Sequence, residues 1–299
     1  MVRAQVIAAA AGPVLPWVHG PVRAGTVLGG FSRAVIIGVP TPAGRRVLSL
    51  LAPAASGVPN GVRLTAADAT VLARQPPGEA ASVGGDRILL GDLEVRVVRS
   101  WPCRVRRVAV KHRSIDTITL VAQSRPAGVP AVFVAALESA LESVGAAPVT
   151  TTSAAHGPLR DAARRLVGRG LGLTPGGDDV IAGALCGLHA TGATRRARAL
   201  AAVALDDVTD RTTLLSADLL RLAAQGDACL EILGVLRTMH RVRDRPGVAE
   251  SALDRSALDG ALDRLLAVGH TSGADLATGL AVGLRVGATA GIRERSEVG

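Results

Sequence analysis

The spacing of hydrophobic positions changes along the chain, from short runs in the first part to long helical stretches in the second. Residues 33–39, 46–51 and 87–91 are short apolar runs bounded by Gly, Pro or charged residues. Such runs are typical of β-strands. Apolar and charged residues alternate over 104–110, which predicts a half-exposed strand. We therefore predict a β-rich N-terminal domain over residues 1–125.

After the Pro- and Gly-containing segment 126–130, the chain becomes rich in Ala and Leu at helical spacing, with few β-branched residues. The pattern predicts eight helices. They cover residues 131–145, 158–168, 179–191, 195–206, 213–225, 228–242, 250–267 and 275–289. The predicted fold class is therefore α+β, with an all-helical C-terminal domain at 126–299 that follows the β-rich domain.

Two stretches of this helical part repeat one pattern of glycine, aspartate and apolar residues. Residues 177–188 and 273–284 align without a gap, with Asp179 opposite Asp275 and glycines at every fourth position below each aspartate. Residues four apart share a helix face, and a mid-helix glycine costs about 1 kcal/mol relative to alanine. We predict that the two helices pack together along their glycines and bring both aspartates to one site.

Composition limits the class of protein. The net charge is +9, but aromatic residues make up only 1% of the chain, so platforms for base stacking are nearly absent and we expect no nucleic-acid partner. Lys111 is the only lysine, and no GxxxxGK[ST] loop is present, which excludes a P-loop NTPase. The three cysteines show no CxxC spacing, which disfavours a disulfide framework and a zinc site. No apolar run approaches the ~20 residues that cross a membrane, so we expect a cytoplasmic protein.

The first candidate site is the Gly-rich loop 168–179. Its glycines allow backbone N–H groups to form an anion-binding nest, and the following helix N-terminus adds partial positive charge. The two aspartates repel an anion, so the pattern favours a ligand with an anionic end and amide N–H groups, or Mg²⁺ with a phosphate. A simple helix N-cap at either aspartate is the alternative. The candidate ligand contacts are Arg169, Gly172, Thr174, Gly176 and Gly177, and the candidate catalytic carboxylates are Asp178 and Asp179.

Two further segments place polar side chains at helix starts. His270 precedes the second aspartate turn and is a candidate general base; Asp275 is the candidate carboxylate there. The second segment, around Asp210, offers an arginine and hydroxyls for an anion, although helix capping explains them equally well. The candidate ligand contacts are Thr271, Ser272 and Gly273 in the first segment, and Arg211, Thr212, Thr213 and Ser216 in the second. No GxSxG motif is present, so the sequence predicts no enzyme nucleophile.

Three sequence blocks resemble signature blocks of the AllH-like family, the third subunit of oxamate carbamoyltransferase, which was long carried as a domain of unknown function. The blocks lie at 166–179, 212–217 and 269–275, and the turn 59–61 (Pro-Asn-Gly) resembles an N-terminal mark of that family. The serine that is usual in the first block is replaced by Gly176 here, which removes one hydroxyl from the loop.

The resemblance implies conversion of oxalurate and phosphate to oxamate and carbamoyl phosphate. It further implies that Arg169 or Arg211 binds phosphate or a carboxylate, and that Asp179 or Asp275 holds the carbamoyl NH₂ group. Phosphate is then the nucleophile. The implied partners are an FdrA-like subunit and a second companion subunit. The alternative is a non-catalytic subunit that binds a small anion or supports its partners.

Overall fold

A computed structural model describes residues 5–12, 16–65, 72–144, 157–243 and 252–296. The chain divides into two compact units, Met1–Cys103 and Arg104–Gly299.

The first unit is a closed β-barrel. Its strands are β1 (Gln5–Ala11), β2 (Arg23–Phe31), β3 (Ala34–Thr41), β4 (Gly44–Leu51), β5 (Gly61–Leu64), β6 (Ala80–Gly84), β7 (Arg87–Leu90) and β8 (Leu93–Ser100), and a short helix, α1 (Pro16–His19), follows β1. The strand order around the barrel is β1-β5-β4-β3-β2-β6-β7-β8. The β1–β8 and β4–β5 pairs are parallel, and the other neighbours are antiparallel.

Alternating side chains fill the barrel. In β8, Leu93, Val95 and Val97 are buried, whereas Arg96 and Val98 between and beyond them are exposed. This is the period-two pattern of a strand with one buried face. The apolar runs predicted as strands are strands, in β3, β4 and β7. The predicted turn at 59–61 lies at the end of the segment 52–60 that connects β4 to β5. Asn60 is buried there, and its Nδ2 atom donates to the Val47 carbonyl at 3.3 Å.

The second unit is built from helices. They are α2 (His112–Gln123), α3 (Ala131–Val144), α4 (Gly157–Leu166), α5 (Gly176–Thr191), α6 (Thr194–Ala204), α7 (Val208–Arg211), α8 (Leu214–Ala224), α9 (Leu230–Arg243), α10 (Ala252–Leu266) and α11 (Ser272–Ser296). All eight predicted helices are present. None of the helices in the described residues is long and apolar enough to span a bilayer.

The predicted fold class is nevertheless wrong. The β-rich part closes into a barrel and contains α1, and the stretch expected to be β-rich also contains α2, so strands and helices are not separated as predicted. Isoleucine and threonine are frequent in α2 and favour strands by propensity. Their burial follows a helical period instead: Ile115, Ile118 and Ala122 form the buried face. The strand predicted at 104–110 is also wrong, because only Arg104 pairs, in an isolated bridge with Asp227.

The two helices of the repeat, α5 and α11, pack against each other along their glycines. A Cβ atom on Gly183 would lie 2.2 Å from the Leu276 carbonyl oxygen, and one on Gly279 would lie 1.9 Å from the Val180 carbonyl oxygen. These distances are far below van der Waals contact, so only glycine allows this backbone approach. The predicted pairing of the repeated helices is confirmed.

Candidate functional site

The packing of α5 against α11 brings their N-terminal turns together. Thr174, just before α5, lies with its hydroxyl 3.2 Å from that of Ser272, the first residue of α11. A Cβ atom on Gly176 would lie 2.7 Å from Oδ2 of Asp275 and 3.0 Å from Cα of Gly128. Both Gly-Asp turns and the 126–130 segment therefore meet at one place.

Asp178 is a fully bonded carboxylate. Its Oδ1 atom accepts from the Gly168 N–H at 2.7 Å, and its Oδ2 atom accepts from the Ser216 hydroxyl at 2.6 Å and from the Thr212 hydroxyl. Burial raises the pKa of Asp178, and these bonds, together with the Arg211 charge, lower it. Asp178 thus connects the Gly-rich loop to the start of α8.

Asp179 differs from its neighbour because its Oδ2 atom is buried and has no hydrogen-bond partner in the part of the chain that the structure describes. The residue is only 7% exposed. Burial raises its pKa well above the ordinary value, and the nearby charges of Asp275 and Asp178 raise it further; hydrogen bonding to the hydroxyls of Ser272 and Thr174 lowers it. The group is therefore a buried acid that holds its proton to a higher pH than a free aspartate and has one unused acceptor atom.

Asp275 occupies the matching position on α11 but is bonded. The Gly128 N–H donates to both of its oxygens, at 2.9 and 3.2 Å. Burial raises the pKa of Asp275, whereas the bonds from Gly128 and from the Thr271 side chain lower it. A Cβ atom on Gly128 would lie 2.4 Å from Oδ2 of Asp275, so this bond requires glycine.

Arg211 supplies positive charge beside the cluster. The Nη1 and Nη2 atoms of its guanidinium are both buried without a hydrogen-bond partner, and its carbonyl oxygen lies 1.9 Å from the position of a Cβ atom on Gly168. A buried guanidinium has five N–H donors, and leaving them unpaired is costly. The arrangement therefore favours an anion next to the Gly-rich loop.

The N–H groups at the C-terminal end of the Gly-rich loop bond within the chain: Gly177 donates to the Arg169 carbonyl at 2.9 Å, and Asp178 to the Pro175 carbonyl at 2.9 Å. Gly168, Gly170 and Gly172 have φ angles of 75°, 119° and 94°, a region that favours glycine. The glycines therefore fold the loop, and an anion-binding nest in its middle, at 170–174, stays a prediction.

Several predicted site residues have other contacts. The Arg169 guanidinium stacks on the Phe133 ring at 4.7 Å, and Thr213 caps α8 by accepting from the Ser216 N–H at 3.1 Å. A Cβ atom on Gly273 would lie 2.1 Å from the Leu265 carbonyl oxygen, so its role is close packing. Gly172 is exposed, and so is His270, for which the described residues show no side-chain hydrogen bond or ion pair.

The donor set does not fit Mg²⁺. The oxygens of Asp178 and of Asp275 are held by hydrogen bonds within the chain, and Oδ2 of Asp179 has no hydrogen-bond partner among the described residues, so the three carboxylates are not arranged as a set of metal ligands. Within the described ranges, no three His, Cys, Asp or Glu side chains are grouped to hold a metal ion. We therefore derive no step through a metal.

Comparison with known proteins agrees with the resemblance of the sequence blocks. Residues 166–284 match the family described as oxamate carbamoyltransferase subunit AllH. No solved structure matches the chain. The AllH match covers both Gly-Asp turns, Arg211 and the start of α8.

Three residues at or beside the aspartate cluster lie outside the matched segment 166–284 and were missed from the sequence. They are Gly128, which bonds Asp275, and Arg125 and Arg285, which line a cavity that Asp275 also reaches. The position of Gly128 between Pro126 and Pro130 was a sequence signal for a turn or loop. Arg285 lies ten residues after Asp275 on α11, and both line this cavity.

Proposed function

We propose that this chain is a subunit of an oxamate carbamoyltransferase-like enzyme and carries its carbamoyl-transfer site. The proposal depends on one observation: an acid and a guanidinium, both buried and both with unpaired polar atoms, flank the bonded carboxylate Asp178. Oδ2 of Asp179 and the Nη atoms of Arg211 have no hydrogen-bond partners among the described residues. A ligand with an anionic end and an N–H end would bond with both.

The chemistry follows from the reaction that the resemblance implies. A phosphate oxygen attacks the carbamoyl carbon of oxalurate, the bond from that carbon to the amide nitrogen breaks, and this nitrogen takes up a proton as oxamate leaves. The proton comes from the attacking hydrogen phosphate, so no further reactant is needed. Arg211 would hold the phosphate by charge-assisted hydrogen bonds.

Asp179 is the proposed proton carrier. Because its pKa is raised by burial and by two neighbouring carboxylates, the carboxyl group keeps a proton to a higher pH than a free aspartate and would pass it to the leaving nitrogen. Proton transfer by a positioned group contributes typically 10²- to 10⁴-fold to a rate. Asp275 and the Thr174 and Ser272 hydroxyls would hold the carbamoyl group in place.

The enzyme would act as an assembly. The matched family is described as a subunit, and we propose an FdrA-like protein and a second companion as the other subunits. Leu171, within the Gly-rich loop, is 96% exposed. An apolar side chain this exposed beside the site suits contact with a partner chain.

The test is turnover of oxalurate and phosphate by the chain reconstituted with both companion subunits. We expect Asp179→Asn to lower kcat by 10²-fold or more while the complex still assembles. Arg198→Gln, at an exposed position on α6, is the control and should leave kcat unchanged. Full turnover by Asp179→Asn would reject the assignment of catalysis to this acid.

The alternative is a subunit that binds a small anion or supports its partners without catalysing transfer. The same exposed loop favours it, because Leu173 is also 44% exposed. In this case Leu171→Ser would prevent assembly, whereas Asp179→Asn would leave the turnover of the assembled complex intact. The two variants together therefore separate the two functions.

A further inference from the structure

A cavity of about 350 Å³ lies beside the aspartate cluster, among α2, the 125–131 segment, α3 and α11. Asp275 reaches it from the cluster, and Thr278 and Arg285 line it further along the same helix face. The volume falls within the range of roughly 300–1,000 Å³ that small-molecule sites have. The cavity is therefore large enough to be a binding site in its own right.

The two arginines of the cavity differ in whether a carboxylate pairs with them. Nη1 of Arg285 lies 2.6 Å from Oε1 of Glu138, and Nη2 donates to the Thr119 hydroxyl at 3.0 Å. Glu138 therefore neutralises Arg285. Arg125 also lines the cavity, and its side chain has no hydrogen bond or ion pair among the described residues. The uncompensated cation in the cavity is Arg125, which suits a ligand carboxylate.

Asp275 gives the cavity an acceptor. Its two oxygens take the Gly128 N–H, but a carboxylate has about four lone-pair directions, so it can accept a further N–H from a ligand. The cavity thus offers a cation for a carboxylate and an acceptor for an amide or ureido group.

The remaining wall is apolar. Eight of the fifteen lining residues are alanine or valine, with Val129, Val134 and Val282 the larger ones. Oxamate has about six non-hydrogen atoms and would fill roughly 180 Å³ even if each atom took the ~30 Å³ of a water molecule. Such a ligand would leave about half of this cavity empty and would bring no apolar group to the wall.

We propose that this cavity binds a carboxylic acid that carries an amide or ureido group and also an apolar body of several carbon atoms. The carboxylate pairs with Arg125, the N–H group donates to Asp275, and the apolar body packs against the alanine and valine wall. The inference rests on the proposed function in one respect, because it takes the ureido group as the one whose carbamoyl is transferred.

The test is calorimetric binding of N-carbamoyl-leucine, oxalurate and oxamate to the purified full chain. We expect N-carbamoyl-leucine to bind at least tenfold more tightly than oxamate. Arg125→Ala and Ala135→Trp, which respectively remove the cation and fill the mouth, should each weaken it at least tenfold. The matched controls are Arg198→Ala and Ser139→Trp, both at exposed positions outside the cavity lining, and these should change binding less than twofold.

Three results would overturn the inference: no binding of N-carbamoyl-leucine, binding no tighter than that of oxamate, or no effect of the two lining variants. Carbamoyl phosphate formation from oxalurate by the reconstituted complex, with any of those results, would leave the proposed function standing. Tight, lining-dependent binding without carbamoyl transfer from either acid would reject the proposed function and retain the cavity as a binding site.

Discussion

The two copies of the Gly-Asp repeat have the same backbone role and different chemistry. Their glycines are equivalent: Gly183 of α5 meets the Leu276 carbonyl oxygen, and Gly279, at the same position of α11, meets that of Val180. Their aspartates are not. Asp275 has both oxygens bonded to the Gly128 N–H, whereas Oδ2 of Asp179 has no partner.

The difference arises outside the repeat. Gly128 belongs to the segment before α3 and donates its N–H to the aspartate of one copy, Asp275, whereas the Gly168 N–H of the loop before α5 donates to Asp178 rather than to Asp179. The packing of α5 against α11 therefore holds both aspartates in place. Segments outside the repeat then determine which aspartate oxygens are hydrogen-bonded and which carboxylate has an unbonded oxygen. The following variants separate these two roles.

Gly279→Ala should lower the free energy of unfolding more than any other variant, because it disrupts the contact between α5 and α11. Its Cβ atom would lie 1.9 Å from the Val180 carbonyl oxygen, so the helices must separate, and we expect a loss of about 3 kcal/mol in the free energy of unfolding. The control is Gly234→Ala on α9, where a Cβ atom meets nothing within 4 Å. That variant should gain up to about 1 kcal/mol. Equal stabilities in urea titrations would contradict the close pairing.

Comparing the stability of Asp178→Ala with that of Asp179→Ala tests whether the two adjacent aspartates of the first copy have different roles. Removing Asp178 leaves the Gly168 N–H and the hydroxyls of Thr212 and Ser216 without their acceptor, which should cost about 2 kcal/mol. Removing Asp179 deletes the partner of the Ser272 and Thr174 hydroxyls, but one of its oxygens has no partner to lose, so the loss in the free energy of unfolding at pH 7 should be smaller, about 1 kcal/mol or less. If Asp179→Ala costs as much as Asp178→Ala, the distinction between them fails.

The sequence predicted the local elements better than the way they are assembled. Alternation in β8 and the Ala- and Leu-rich periodicity of the later helices determine strand or helix from neighbouring residues alone. Closure of the barrel depends on β1 pairing with both β5 and β8, and no local pattern specifies such distant pairing. In α2, burial of Ile115 and Ile118 overrode the strand propensity of the segment.

The candidate site shows the same limit. The Gly-Asp repeat located three aspartates and the helix pairing, because four-residue spacing is a property of a single helix. The bond from Gly128 to Asp275 joins residues far apart in sequence. The different hydrogen bonding of Asp179 and Asp275 therefore could not be predicted from local sequence patterns. His270, predicted from its place beside the turn, is exposed.

The pH dependence of stability should identify Asp179 directly. Its pKa is raised in the folded state, so the folded protein binds more protons than the unfolded chain above about pH 4. The stabilising effect of the protonated group is present below the unfolded pKa and is lost as pH rises through the folded pKa. The free energy of unfolding of the natural protein, measured relative to that of Asp179→Asn, should therefore fall as pH rises from 4. A constant difference across this window would contradict the raised pKa.

His270→Ala should have the smallest effect. The side chain is exposed and has no described partner, so we expect a change in stability below about 0.5 kcal/mol and turnover within twofold of the natural protein. Chemical unfolding and the reconstituted assay measure the two quantities. A tenfold loss of turnover in His270→Ala would contradict this expectation and support the predicted catalytic role of His270.

The most direct test of the account is calorimetric binding of carbamoyl phosphate to the purified chain. The account predicts saturable binding that weakens at least tenfold in Arg211→Gln and in Asp179→Asn and is unchanged in Arg198→Gln. A ligand at 100 times its Kd should also raise the free energy of unfolding by about 2.7 kcal/mol. No binding by the natural chain, or equal binding by all three variants, would contradict a carbamoyl-transfer site at Asp179 and Arg211.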